Sequence, residues 1–204
     1  MITVVDYGMG NLRSVVKAVE KYAPDVQVSS DPASVKNSKA LIMPGDGAFG
    51  AAMTNLTERG WIEPLKEFIG NGGHFLGICL GYQLLFSSSE EFGEHQGLGI
   101  IPGKVVRFNL PADMKVPHMG WNSVEFKKES KFMAGIPSGS HFYFIHTYYP
   151  VPEDRSWIIG EADYGGEFAC IVGKGNLLAA QFHPEKSHNA GLKIIENFVR
   201  DVCA

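Results

Sequence analysis

The run HFLGICLGYQLLF, residues 74–86, changes character in its middle: a strand-like apolar stretch reaches Cys79 between Gly77 and Gly81, and a helix-like stretch follows. Such a cysteine is either packed core or a nucleophile held on a sharp strand-to-helix turn. The flanking glycines let the backbone turn without Cβ clashes, so that the side chain stands clear at the end of a sheet. A helix starting there offers unpaired N–H groups and partial positive charge, both suited to a developing anion. Taken alone, G-x-C-x-G fits the packed cysteine as well as the nucleophile.

Two more units of this kind precede it. ITVVD (2–6) is strand-like, and NLRSVVKAVEKY repeats Leu12, Val15, Val16 and Val19 at helical spacing. ALIMPG (40–45) is a second strand, followed by the helical segments GAFGAAMTNLTERG and WIEPLKEFIGNGG. Strands alternating with helices predict a mostly parallel central sheet flanked by helices. Beyond about residue 97 the pattern shifts to short β-rich runs: GIIPGKVVRF, WNSVEF, HFYFIHTYY, WIIGEADY, EFACIVGKG and NLLAAQF. These read as added, partly antiparallel strands in the C-terminal half, with NLPADMKVP as a loop and a closing amphipathic helix from about His188 to Val202. The expectation is an α/β fold in one domain spanning 1–204.

Composition narrows the function classes. With 45% hydrophobic and 20% charged residues, the chain suits a protein with a real core. Its 18 Lys+Arg against 22 Asp+Glu give a net charge of −4 with no basic run, so neither nucleic acid nor an anionic membrane is expected as partner. Asp6 interrupts the N-terminus too early for a signal peptide and no apolar run is long enough to span a bilayer, which points to the cytoplasm. Cys79, Cys170 and Cys203 have neither zinc spacing nor the even count of a disulfide framework.

A nucleophilic cysteine needs a base, and the base an orienting group. AAQFHPEKS supplies both: His183 ends the apolar strand, Pro184 keeps it out of the α region, and an extended chain brings Glu185 to the same face. His74, His95, His118, His141, His146 and His188 lack such a pairing and read as structural; no metal site is expected.

These residues resemble the class I glutamine amidotransferases, which carry a G-x-C-x-G elbow and a late H-x-E pair. Nearly the whole chain takes part. DYGMGNLRSV, PGDGAFGAAM, LGICLGYQLLF, GLGIIPGKV, VPHMGWN, YFIHTYY and QFHPEKS are similar, in order, to motifs of the branch that serves imidazole glycerol phosphate synthase in histidine biosynthesis. The resemblance implies a Cys79, His183, Glu185 triad that hydrolyses L-glutamine through a thioester, with no cofactor. It implies substrate contacts from Gln83, which also shares a helix face with Cys79, and from Glu91 toward the α-amino group. PGDGAFG resembles the oxyanion strand, with Gly45, Asp46, Gly47 and Leu80 as the oxyanion residues. Asp46 stands where valine is usual, and its carboxylate is expected to point outward. The implied partner is a (β/α)₈ cyclase subunit forming a heterodimer with the chain, with Asn11, Met119, Trp121, Tyr143 and Lys186 in segments matching the docking face. Alternatives are the glutaminase subunit of another ammonia-using synthase, a cysteine peptidase, or a non-catalytic binding protein of the same fold.

Overall fold

The structure is a computed structural model that describes residues 1–112 and 114–203. Its first strand, β1 (Ile2–Val5), is buried throughout and leads into α1 (Leu12–Val19). β2 (Val26–Ser29), β3 (Ala40–Met43), α2 (Phe49–Glu58), α3 (Ile62–Gly70) and β4 (His74–Ile78) follow. After the one-turn α4 (Leu80–Gln83) the chain becomes mainly β: β5 (Phe86–Ser89), β6 (His95–Gln96), β7 (Ile101–Arg107), β8 (His118–Phe126) and β9 (Ser140–His146). It continues through β10 (Tyr148–Pro152), β11 (Ile158–Asp163), β12 (Glu167–Lys174) and β13 (Leu177–Ala180) to the long α5 (His188–Cys203).

The strands form a nine-stranded sheet in the order β2-β1-β3-β4-β13-β12-β11-β8-β9 and a four-stranded sheet, β10-β7-β5-β6. Pairing is parallel from β2 to β13 and antiparallel from β13 to β9, so the added strands continue the same sheet. Successive side chains of the parallel strands feed opposite faces. Ile2, Val4, Ile42, Leu76 and Ile78 join Val15, Val19, Ile194 and Phe198 on one side. Val5, Leu41, Met43 and Phe75 join Phe49, Leu56, Trp61 and Leu65 on the other. On α5, burial of Ile194, Ile195, Phe198 and Val199 contributes about 1.5–3 kcal/mol per side chain relative to exposure.

Three local readings need correction. The helix-like stretch after Cys79 is not one helix: α4 stops after Gln83 and Phe86–Ser89 pairs in parallel with β7. Its apolar residues are buried from every side, which erases the periodicity that separates helix from strand. HFYFIHTYY divides into two strands of different sheets, β9 and β10. β2, with sequence VQVS, went unrecognised because an edge strand that is only half-buried carries a weak apolar signal. The loop expected at NLPADMKVP includes Asp113, outside the described residues; those around it form neither helix nor strand.

The strand order sets the site. β1, β3, β4 and β13 are consecutive parallel neighbours, and the segments leaving their C-terminal ends bring Tyr7, residues 45–47, Cys79 and His183 to the same end of the sheet. This is where open parallel sheets bind ligands. The elbow after β4 requires a glycine where α4 crosses β3, because a Cβ on Gly81 would lie 1.9 Å from the Met43 carbonyl oxygen.

Candidate active site

Cys79 occupies a left-handed conformation, φ 56° and ψ −109°, costly for any residue with a Cβ. Its N–H donates to the Ala180 carbonyl at 2.8 Å, locking the elbow to β13. Among the described residues the N–H groups of Leu80 and Gly81 donate to no backbone acceptor, leaving them at the head of α4 beside the sulfur.

His183 is clamped at both ends of its own residue. Its N–H donates to the Tyr143 carbonyl at 3.0 Å, and its carbonyl accepts from Ser187 Oγ at 2.6 Å. Nδ1–H donates to Glu185 Oε1 at 2.8 Å, and the Glu185 side chain is only 1% exposed. That leaves Nε2 as the ring nitrogen available to Cys79. Burial works to lower the His183 pKa, but the hydrogen bonds and charges of Cys79 and Glu185 prevail and raise it to about 10. The second Glu185 oxygen is buried without a partner among the described residues. A carboxylate desolvated in this way depends on the imidazolium to balance its charge.

A chain of neutral donors approaches from the opposite side. His146 Nδ1–H donates to the Tyr148 carbonyl at 2.9 Å, so its Nε2 accepts, and His118 Nδ1–H donates to it at 2.9 Å. Burial pushes the His118 pKa down to about 4 and is the main cause of the His146 fall to about 3, which keeps both rings neutral. The Tyr148 carbonyl also accepts from Gln83 Nε2 at 2.9 Å, and Gln83 Nε2 donates again to Gln181 Oε1 at 3.0 Å. Gln181 Nε2 then faces Cys79 Sγ at 3.8 Å. Because both Gln83 amide hydrogens serve the protein, its carbonyl oxygen is what it presents to the cavity.

A cavity of about 270 Å³ lies over the sulfur, lined among others by Asp46, Gly47, Leu80, Gln83, Glu91 and His183. This volume suits a single amino acid better than a peptide passing through. Glu91 Oε2 accepts the Phe49 N–H at 2.6 Å, capping α2 where Ala48 has no side-chain acceptor, while its other oxygen remains for a cation. Asp46 borders the cavity with its Oδ1 held by the Gly10 N–H at 3.0 Å.

The sequence reading thus brings Cys79, His183, Glu185, Gly47, Asp46, Leu80, Gln83 and Glu91 to one place, with Gly45 just beneath. It missed Gln181, although its separation of two from His183 on an extended chain was a usable signal, and it set His146 aside although that ring lines the cavity. Met119 (60% exposed), Trp121 (46%) and Ile145 (36%) project from the β8-β9 ribbon, where Trp121 pairs with Tyr143 and stacks on His188. Asn11 is exposed but also caps α1 through the Ser14 N–H, and Lys186 is exposed beside Glu185.

The profile of the family described as glutamine amidotransferase class-I matches residues 3–202. The chain belongs to the class I glutamine amidotransferase family. Within that family it is 51% identical to the protein named imidazole glycerol phosphate synthase subunit HisH of Syntrophotalea carbinolica, over 97% of this chain and 98% of the relative. The protein of the same name from Aquifex aeolicus is 50% identical over 97% and 95%. Among solved structures, PurLQS from Thermotoga maritima aligns with a TM-score of 0.76 at 17% identity over 98% of this chain and 97% of that one. A crystal structure of a glutamine amidotransferase gives 0.73 at 19% over 100% and 99%. These more distant likenesses identify the same amidotransferase fold. Among the described residues no helix is long and apolar enough to cross a membrane.

Proposed function

We propose that the chain, acting as one amidotransferase domain in the cytoplasm, is the glutaminase subunit of an imidazole glycerol phosphate synthase. It hydrolyses L-glutamine and delivers ammonia to a (β/α)₈ cyclase bound as a heterodimer. The observation that carries this reading is the alignment of Cys79, His183 and Glu185 over a cavity sized for an amino acid. Near-full-length relatedness to HisH proteins supports the choice of branch.

The chemistry follows from the atoms. His183 Nε2 takes the thiol proton, and Cys79 Sγ attacks the side-chain amide carbon of glutamine. Negative charge develops on the amide oxygen, where the Leu80 N–H and a peptide N–H of residues 45–47 serve as donors. His183, held by Glu185, returns the proton to the departing ammonia and leaves a thioester. Water, deprotonated by the same imidazole, then releases glutamate. The Gln83 carbonyl oxygen and the free Glu91 oxygen hold the substrate, Glu91 through the α-ammonium. For the partner, the apolar Met119, Trp121 and Ile145 patch next to the cavity is the docking face, with Asn11, Tyr143 and Lys186 around it.

Glutamine hydrolysed without an acceptor is wasted, so control belongs at the oxyanion strand. Among the described residues, Gly45, Asp46 and Gly47 make no backbone hydrogen bonds, which leaves their peptides free to rotate. Ammonia release from the isolated chain is expected to be slow, little changed by the cyclase alone, and raised by orders of magnitude through turnover when the cyclase carries its phosphoribulosyl nucleotide. Full activity of the isolated chain overturns the gating; no release under any condition overturns the glutaminase reading. Substitutions at Gly45 and Gly47 are blunt probes of the gate. A Cβ on Gly45 would meet Leu80 Cβ at 2.8 Å, and Gly47 already has φ of 90°.

A further inference from the structure

Tyr7 leaves the end of β1, the strand next to β3 and two places from β4. It is fully buried, and among the described residues its hydroxyl has no hydrogen-bond partner. A buried, unpaired hydroxyl is a net cost to the fold, whereas phenylalanine would fill the same space without it. The hydroxyl also has a definite position. It would lie 2.3 Å from a Cβ placed on Gly45, among the groups that pack beneath the 45–47 segment. Asp46 and Gly47 line the substrate cavity, but Tyr7 does not. The segment therefore has the cavity along one side and the Tyr7 hydroxyl against Gly45.

Rotation of one peptide exchanges the places of its N–H and its C=O. If the Gly45–Asp46 peptide presents its N–H to a developing oxyanion, its carbonyl turns away from the cavity and into the protein, where an acceptor without a donor is costly. The Tyr7 O–H is an unused donor at Gly45. Burial first, then the charges of Cys79 and Asp46, raise the Tyr7 pKa well above its ordinary value, so the proton stays on oxygen and available to donate. The rotation also carries Asp46 toward positive φ, which aspartate tolerates better than most residues with a Cβ.

We propose that Tyr7 is a positioning residue for the reactive state: its hydroxyl donates to the Gly45 carbonyl when the Gly45–Asp46 peptide turns its N–H to the substrate, and is idle otherwise. This rests on the glutaminase reading, and the experiment separates the two. Wild type and Tyr7→Phe are each assembled with the cyclase, and ammonia release is measured against glutamine concentration with and without the nucleotide. Labelling of Cys79 by a glutamine-analogue electrophile, thermal melting, and product formation from added ammonia are followed in parallel. Tyr7→Phe is expected to lower the nucleotide-stimulated kcat by about ten-fold or more and to slow stimulated labelling to a similar extent. KM for glutamine should stay within about two-fold, ammonia-driven synthesis should be unchanged, and the melting temperature should be equal or higher, because the resting fold loses only an unpaired hydroxyl.

A lower melting temperature means that the hydroxyl is bonded in the resting fold and overturns the proposal. An unchanged stimulated kcat, or a change confined to KM, does the same. If the wild-type complex itself releases no ammonia, the glutaminase reading fails and the proposal with it, an outcome distinct from a defect seen only in Tyr7→Phe.

Discussion

Cys79→Ala is expected to abolish glutamine-driven product formation by the complex while ammonia-driven formation continues near the wild-type rate. The sulfur is the only atom at the elbow able to form the thioester, so nothing else at the site replaces it. The cyclase then lacks only its ammonia source, and added ammonium salt restores it. Alanine keeps the elbow backbone and removes a sulfur whose neighbour, the Gln181 amide at 3.8 Å, loses little; docking should therefore persist. The glutamine-analogue electrophile should label Cys79 and neither other cysteine. Cys170 is buried, its Sγ faces the Gly160 carbonyl at 3.5 Å, and burial pushes its thiol pKa far up. Cys203 is exposed at the end of α5, away from His183. Parallel rate measurements with glutamine and with ammonia decide the matter, and equal loss of both activities would sink the division of labour.

Glu185→Gln is expected to lower glutaminase turnover by about three to four orders of magnitude, the scale seen when the carboxylate of such a triad is made neutral. Glutamine can still accept the Nδ1–H bond, so the ring keeps its place; what is lost is the charge that favours an imidazolium. The same charge has a signature in stability. Against burial, Cys79 first and then Glu185 raise the His183 pKa from 6.5 to about 10, so between those values this imidazole holds in the fold a proton that it has released in the unfolded chain. Stability from this group is fully present below about 6.5 and is lost as pH rises through about 10. Without the Glu185 charge the folded pKa falls, and the decline moves to lower pH. Melting temperatures from pH 6 to 10 should show that displacement alongside the fall in kcat. Normal turnover in a correctly folded Glu185→Gln protein would show that the pair is structural.

The sequence displayed those parts whose physics is local. Cys79 between two glycines, His183 before a proline and Glu185 two residues on each announce a backbone geometry, and strands alternating with amphipathic helices announce the parallel half of the sheet. Less visible were features made by neighbours distant in sequence. Phe86 became a strand because β7 pairs with it, not because its own segment prefers one. Gln181 gained a role only where Gln83 and Cys79 converge on it. His146 looked like an ordinary strand histidine until its ring met His118 and the Tyr148 carbonyl. Tyr7, in a glycine-rich turn, gave no sign of an unsatisfied hydroxyl, because that depends on what packs around it.

The left-handed backbone of Cys79 sets the direction in which such a protein drifts once selection for its chemistry relaxes. That conformation costs a side-chain-bearing residue about 1–3 kcal/mol and glycine almost nothing. Cysteine and glycine codons differ by a single base, so one base substitution can relieve the strain, erase the nucleophile, and leave the sheet and the Met119, Trp121 and Ile145 surface untouched. Descendants of this lineage that keep a partner but lose their reaction are therefore within one mutational step, and that step leads toward a more stable fold.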